Sequence, residues 1–202
     1  MPFALPYRMF FLRHGETSWN VEGRLQGQRD IPLNPKGIDQ ASADGRAVRT
    51  YLAAGADETI AELEFWASPL ERTRQTMELA RKGMAMAPHP YATDDRLKEI
   101  AFGRWEGRTW RDIRKSEPAT AQARDADRWG YVPPDGESYA MLAERVKPWL
   151  ASLTSDTLVV SHGGVARVMM VLLGGMDSGD APMAEIVQGR AILFGDGGFA
   201  WI

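Results

Sequence analysis

The chain has 202 residues, of which 44% are hydrophobic and 25% are charged, a composition typical of a globular protein that buries its own core. Its formal net charge is −3, so it lacks the overall basic character of a general nucleic-acid-binding protein. The absence of cysteine excludes disulfides, thiolate catalysis and cysteine-bound zinc.

No targeting or membrane segment is apparent. Residues 1–6 lack the positive charge of a secretory signal and lead directly into an apolar run. The longest apolar helical stretch, Val165–Leu173, contains Arg167 and is shorter than the roughly 20 residues of a membrane span. We therefore expect a cytoplasmic protein without membrane or nucleic-acid partners. The oligomeric state stays open, with a homodimer as one option.

Strand patterns alternate with helix patterns in the first third of the chain. The run Met9–Leu12 is apolar at every position, which predicts a strand buried on both faces. Asn34-Pro35 predicts a helix N-cap and first helical residue, and this helix should continue to about Leu52, with Gly55 beyond it. Leu63–Ala67 predicts a second strand.

The same alternation continues to the C-terminus. After Ser68-Pro69 the stretch LERTRQTMELARKG predicts a helix that Gly83 ends, and a third strand is expected at Tyr91–Thr93. The polar, Trp-containing stretch 105–136 predicts short helices. Further on, we expect a helix, a fourth strand and an antiparallel hairpin at Tyr139–Leu153, Thr157–Val160 and Ala191–Phe194 with Phe199–Ile202.

This order of elements predicts an α/β fold, a three-layer α/β/α sandwich around a mostly parallel central sheet. No linker, internal repeat or low-complexity tract divides the chain. We therefore expect a single domain over residues 1–202, with the stretch at about 105–136 inserted as a cap.

Three predicted strands are followed by polar residues: Arg13-His14-Gly15, Ser68–Arg72 and Ser161–Gly164. Ligands of open α/β sheets bind beyond the carboxyl ends of the strands, so these residues should meet in one pocket. The helix starts after Ser68 and Gly163 would add free N–H groups. Arginines, histidines and helix N-termini together indicate an anion site, and phosphate suits it because arginine binds its oxygens in a bidentate fork.

An imidazole is the remaining candidate nucleophile, since the chain has no cysteine, no evident Ser-His-Asp order and no Walker loop. Histidine is mostly neutral at pH 7, and nearby Arg13 and Arg72 should lower its pKa further. A metal hydrolase with His14 and His162 as ligands is a further reading. The absence of HxxxH or HxH spacing and the arginine beside His14 oppose it.

Six ordered blocks, LRHGET, GRLQGQRDIPLNPKG, SPLERTRQT, LKEIAFGRWEG, GES and VSHGGVAR, resemble the histidine phosphatase superfamily, which is phosphoglycerate mutase-like in fold. The resemblance extends from Leu12 to about Arg167. It implies a metal-independent phosphatase without a cofactor, acting on a phosphorylated small molecule.

The resemblance also implies a role for each matching residue. His14 would form the phosphohistidine, Glu99 would be the general acid and then the base, and other residues would hold the phosphoryl oxygens: Arg13, Asn20, Arg72 and His162. The phosphate clamp is expected to supply most of the catalysis.

The family also contains mutases, and this sequence departs from their pattern. Lys98–Gly103 stands where mutases carry NERHYG, and Trp110 lies near the place of their lysine. The expected arginine pair is interrupted, since Asp127-Arg128 precedes Trp129. These departures favour a phosphatase. A mutase-type phosphotransferase and a catalytically silent phosphate-binding protein stay as alternatives.

The substrate is less constrained. An apolar wall above the phosphate is expected from four aromatic residues, Phe102, Trp105, Trp110 and Trp129. Further contacts with the substrate are expected from Arg24, Gln26 and Gly163. This arrangement favours an apolar or aromatic leaving group. Phosphorylated proteins and sugar phosphates stay open.

Overall fold

The computed structural model describes residues 5–54 and 63–202 and contains a six-stranded mixed sheet between helices. The strands lie in the order β3-β2-β4-β1-β5-β6. Their bounds are β1 Met9–Arg13, β2 Glu64–Ala67, β3 Ala92–Thr93, β4 Thr157–Ser161, β5 Ala191–Gly195 and β6 Gly198–Trp201. The helices are α1 Ser18–Val21, α2 Pro35–Ala54, α3 Glu71–Gly83, α4 Trp110–Ser116, α5 Pro118–Ala126, α6 Tyr139–Leu150 and α7 Gly163–Leu172.

Strands β1 and β4 form the centre of the sheet and pair in parallel, with Arg13 opposite Ser161. Strands β2 and β3 continue the parallel part, whereas β5 and β6 pair antiparallel on the other side of β1. The α/β fold and the C-terminal hairpin are thus confirmed. Because β1, β2 and β4 run in the same direction, their carboxyl ends lie at one edge of the sheet.

Helices cover both faces of the sheet, because successive side chains of β1 point to opposite faces. Phe10 and Leu12 are fully buried in one core against α2 and α3. Met9 and Phe11 are fully buried in the other core, which includes residues of α6 and α7. The three predicted layers are therefore present.

Helices α2 and α3 pack so closely that their contact requires glycine. A Cβ on Gly45 would lie 1.9 Å from the carbonyl oxygen of Ala80. On the same helix, Asp44 is only 1% exposed, and within the described residues neither of its carboxylate oxygens has a hydrogen-bond partner. Burial raises the pKa of Asp44 to about 7.

The segment predicted as a cap has a small core of its own. Trp105, Ile113 and Ala121 are buried together there, apart from the two large cores. Helix α4 begins with a capping box between Thr109 and Asp112. The division into one domain with a cap over 105–136 stays a prediction, and this separate packing is the observation that bears on it.

Element ends differ from the predictions by a few residues. Helix α2 ends at Ala54, two residues beyond Leu52, and Gly55 lies outside the described residues. Strand β3 contains only Ala92–Thr93. Helix α6 ends at Leu150 rather than Leu153. Among the residues that the structure describes, no helix combines the length and apolarity that a membrane crossing requires.

Candidate active site

The carboxyl ends of β1, β2 and β4 meet at a cavity of about 220 Å³. The main-chain N–H of His14 donates to the Ser161 oxygen at 2.9 Å, so the pairing of β1 with β4 continues into the site. The rings of His14 and His162 then lie 5.3 Å apart. Of the predicted site residues, the cavity is lined by Arg13, His14, Asn20, Arg24, Gln26, Arg72, Glu99 and Gly163. His162 is fully buried beside His14.

The hydrogen bond of the His14 ring determines which of its nitrogens is free. Its Nδ1 atom lies 2.8 Å from the Gly15 carbonyl oxygen, and because a carbonyl only accepts, Nδ1 carries the proton. The lone pair is therefore on Nε2. Burial, followed by the charges of Arg72 and Arg13, holds the pKa of His14 well below its usual value. The predicted lowering by the two arginines is confirmed, although burial is the larger cause.

His162 is anchored from behind by a serine at the end of β2. Its Nε2 atom lies 2.8 Å from the Ser68 hydroxyl, and both residues are fully buried. Within the described residues, the Nδ1 atom has no hydrogen-bond partner. Burial and then the charge of Arg72 hold the pKa of His162 well below its usual value. The site therefore holds two neutral imidazoles side by side.

Two guanidinium groups lie at the same edge of the sheet, that of Arg72 fully buried and that of Arg13 half-buried. Arg72 in the first turn of α3 donates to the main-chain oxygens of Arg29 and Gly27, at 2.7 and 2.8 Å. Arg13 donates to the oxygen of Ile186 at 2.7 Å. The Nε atoms of both arginines are buried, and no partner for them exists within the described residues.

Burial lowers the pKa of Arg13 to about 10 and lowers that of Arg72, yet both groups stay charged at neutral pH. Buried cations with unused donors are costly unless an anion pairs with them. The arrangement therefore favours a phosphate-sized anion in contact with both.

At the helix start after Ser68, the first N–H of α3, that of Glu71, donates to the Asp30 carboxylate at 2.7 Å. The helix also brings Arg72 to the cavity wall. A contribution of its remaining N–H groups to anion binding stays a prediction.

Glu99 lies at the N-terminus of α7. Its Oε1 atom accepts hydrogen bonds from the N–H groups of Gly164 and Ile100, each at 2.9 Å. The predicted helix N-terminus near Gly163 thus binds a carboxylate of the protein at Gly164. This contact fixes Glu99 at the cavity wall, within the same space as His14.

A network of main-chain contacts holds the loop that carries Glu99. The Arg145 guanidinium donates to the carbonyl oxygens of Arg96 and Lys98, at 2.7 and 3.0 Å. It also forms a bidentate pair with Glu137, at 2.8 and 2.7 Å. The GES block of the sequence therefore contributes to the site indirectly, through Arg145.

The cavity wall contains two further cations that the sequence did not reveal. Arg124 from α5 and Arg167 from α7 line the cavity together with Tyr139. Arg124 stacks over the Trp110 ring, 4.2 Å from its centroid. The position of Arg167 one helical turn after Gly163 was a usable signal, because residues four apart share a helix face. No pattern in the sequence marked Arg124, because the arginine pair of the family was expected directly before Trp129.

The predicted apolar wall is only half right. Phe102 and Trp110 line the cavity, in edge-to-face contact at 6.2 Å. Trp105 is fully buried in the cap core and stacks on Tyr131, and Trp129 stacks on Tyr139 at 5.7 Å. Neither of these two lines the cavity. They were misassigned because sequence alone does not separate aromatic residues that pack in a core from those that face a ligand.

Arg24 and Gln26 also line the cavity. Arg24 pairs with Glu22 and donates to the Gly107 oxygen at 2.8 Å, so part of its charge is already engaged. Gln26 is 7% exposed. Within the described residues, no cluster of three or more His, Cys, Asp or Glu side chains is arranged to hold a metal ion.

Comparison with known proteins agrees with this geometry. The sequence profile of the histidine phosphatase superfamily (branch 1) matches residues 9–192. Human 6-phosphofructo-2-kinase/fructose-2,6-bisphosphatase 4 is 32% identical over 167 residues, which cover 82% of this chain and 32% of that protein. The chain thus spans about a third of the length of the curated relatives it matches.

Two solved structures of phosphatases are similar over nearly their whole length. The alpha-ribazole phosphatase from Shigella flexneri has a TM-score of 0.73 and 28% identity, covering 92% of this chain and 89% of that one. A mycobacterial glucosyl-3-phosphoglycerate phosphatase has a TM-score of 0.76 and 25% identity, covering 93% and 89%. From the profile match, these relatives and the shared fold, we conclude that the chain belongs to branch 1 of the histidine phosphatase superfamily.

Proposed function

We propose that the chain is a metal-independent phosphatase that hydrolyses phosphomonoesters through a phosphohistidine on His14. The observation that carries the proposal is the buried neutral imidazole of His14 in one cavity with two guanidinium groups, the fully buried Arg72 and the half-buried Arg13. The named phosphatases among the structural neighbours support it.

The first step forms a bond between His14 Nε2 and phosphorus while the bond from phosphorus to the leaving oxygen breaks. Arg13, Arg72, Asn20 and His162 would hold the three phosphoryl oxygens in this step. Glu99 would enter it as the carboxylic acid and give its proton to the leaving oxygen.

The second step reverses these roles. Water attacks phosphorus, Glu99 takes the proton from water, and the bond to His14 breaks to release orthophosphate. No group outside the chain is needed for the proton balance, since Glu99 ends each cycle as it began.

Phosphate release from an aryl phosphate in the presence of EDTA tests the proposal. We expect turnover by the wild-type protein and none by His14→Ala. His89→Ala is the matched control, because the His89 side chain is 64% exposed and does not line the cavity. A phosphoprotein that is stable in base and labile in acid should be trapped with the wild type only. Turnover by His14→Ala at the wild-type rate would refute the proposal.

The cavity wall supports a more specific substrate class. Because Arg124, Arg167 and Tyr139 line the cavity in addition to the residues of the proposed phosphate clamp, we propose that the leaving group carries a second anionic or strongly polar group. This replaces the aromatic leaving group favoured by the sequence. The names of two relatives, a fructose-2,6-bisphosphatase and a glucosyl-3-phosphoglycerate phosphatase, agree with such substrates.

Comparing two substrates tests this class. Arg124→Met should lower kcat/KM for a bisphosphate or phosphoglycerate ester by about 10- to 100-fold, the loss expected for one charge-assisted contact. Its effect on an aryl monophosphate should be much smaller. Arg114→Met is the matched control in the cap, because the Arg114 side chain is 54% exposed and pairs with Asp125. Equal losses on both substrates would contradict the proposed contact.

A further inference from the structure

The residues between α7 and β5 hold three cavity-lining side chains from behind. We use the term support segment for Ala184–Gln188, which has no helix or strand and enters a turn at Gln188. The Ala184 oxygen accepts from Arg167 Nε at 3.0 Å, and the Ile186 oxygen accepts from Arg13 at 2.7 Å. Two main-chain oxygens of the support segment therefore bind cavity-lining arginines.

Gln188 adds contacts of its side chain to those of the main chain. Its Nε2 atom lies 2.9 Å from the main-chain oxygen of His14 and 3.2 Å from Oδ1 of Asn20. The His14 carbonyl only accepts hydrogen bonds, so the Gln188 amide must present its NH₂ group here. One side chain thus contacts the nucleophile's own backbone and a predicted phosphate ligand.

The orientation of the Asn20 amide follows from the same contacts. The main-chain N–H of Thr17 donates to Asn20 Oδ1 at 3.1 Å, and Thr17 Oγ1 lies at the same distance. With Gln188, the Asn20 oxygen has three neighbouring polar groups. The oxygen is therefore occupied, and Nδ2 is the polar end of Asn20 that stays available to the cavity it lines.

This orientation decides whether Asn20 attracts or repels a phosphoryl group. An NH₂ group donates to a phosphoryl oxygen, whereas an amide oxygen in its place would repel that oxygen. Three donors directed at one amide oxygen make the reversed orientation costly, because reversal would set NH₂ against N–H groups.

We infer that Gln188 is a positioning residue, which holds the Asn20 amide so that its NH₂ group faces the phosphoryl group. The inference rests on the proposed function, because it concerns the same phosphate clamp. Gln188 itself contacts neither of the reacting atoms. The sequence blocks that carry the family resemblance end at about Arg167, so they do not include Gln188.

Two substitutions that nearly keep the shape of glutamine separate the effect of the hydrogen-bond donor from the effect of side-chain volume. Gln188→Met removes the NH₂ donor, and Gln188→Glu replaces it with a group that accepts only. We expect orthophosphate to bind about 10-fold more weakly to Gln188→Met than to wild type, and more weakly still to Gln188→Glu. Isothermal titration with inorganic phosphate measures this, and steady-state assays with an aryl phosphate give kcat and KM. Glu185→Gln is the control, because Glu185 is an exposed residue of the support segment.

A double-mutant cycle with Asn20→Ala tests the route of the effect. In that background, Gln188→Met should change phosphate affinity less than twofold, because the amide it orients is gone. A merely structural role would instead lower the free energy of unfolding and would persist in the Asn20→Ala background. Persistence of the full effect, or wild-type affinity in both Gln188 variants, would overturn the inference.

Failure of the proposed function gives a different result. In that case wild type neither releases phosphate from the aryl ester nor binds orthophosphate, and the Gln188 inference fails with it. Wild-type activity that Gln188→Met and Gln188→Glu both retain would refute the inference about Gln188 alone.

Discussion

Substituting Gly164 by alanine should displace Glu99, the proposed general acid, without disturbing the fold. A Cβ on Gly164 would lie 2.3 Å from Glu99 Oε1, whereas ordinary contacts begin at 3.4 Å. The carboxylate must therefore move by about 1 Å and lose the 2.9 Å hydrogen bond from the Gly164 N–H. Misplacement of a catalytic group by about 1 Å costs on the order of 100-fold in rate. Alanine in a helix stabilises by roughly 0.5–1 kcal/mol relative to glycine, which offsets the steric cost.

The choice of substrate reveals whether the acid is responsible. A p-nitrophenolate leaves readily without a proton, whereas an alkoxide needs one, so Gly164→Ala should lower kcat about 100-fold for an alkyl phosphate and much less for p-nitrophenyl phosphate. Thermal unfolding should show a folded protein. Gly198→Ala is the control, because a Cβ there meets nothing within 4 Å. Equal losses on both substrates, or none on either, would refute the placement of Glu99 as the acid.

Three further predictions concern buried charge. Folding raises the pKa of Asp44 to about 7, so the contribution of Asp44 to stability is full in acid and falls as the pH rises to 7. Asp44→Asn should therefore stabilise the protein by about 3 kcal/mol more at pH 8 than at pH 5, as measured by urea unfolding. Folding lowers the pKa values of His14 and His162, so their contribution to stability is full above about pH 6.5 and falls below it. His14→Gln should therefore reduce the loss of unfolding free energy between pH 7 and pH 5, and an unchanged loss would count against a neutral His14. Arg145→Lys should lower kcat about 10-fold and the free energy of unfolding by about 2 kcal/mol, because lysine cannot bind both Glu137 and the loop that carries Glu99. Steady-state kinetics measures the first effect and denaturant titration the second.

The residues at strand ends were the most predictable part of the site. Arg13, His14 and the residues after β4 follow apolar runs, so the direction of the strands is enough to place them at one edge. Glu99 and Asn20 needed the family resemblance, because a glutamate or asparagine in a loop has no periodic pattern around it. The three-layer fold was predictable for the same reason as the strand ends, since its elements alternate in the sequence.

Contacts that depend on loop paths were not predictable. Gln188 lies 174 residues from His14 along the chain, and nothing in the sequence indicates that the segment before β5 returns to the site. Arg124 was missed because the position of the cap over the sheet decides which of its arginines lines the cavity. Trp105 and Trp129 were misassigned for a related reason, since core and ligand-facing aromatics share one composition.

The pairing of β1 with β4 also bears on the kinetics of refolding. Arg13 lies opposite Ser161, so His14 and His162 become neighbours only when segments about 148 residues apart close into one sheet. Pairings between such distant segments are slow because the entropy of closing the intervening chain must be overcome first. Recovery of phosphatase activity after dilution from denaturant should therefore follow the slowest cooperative phase, and a shortened chain that ends before β4 should regain helical signal without turnover.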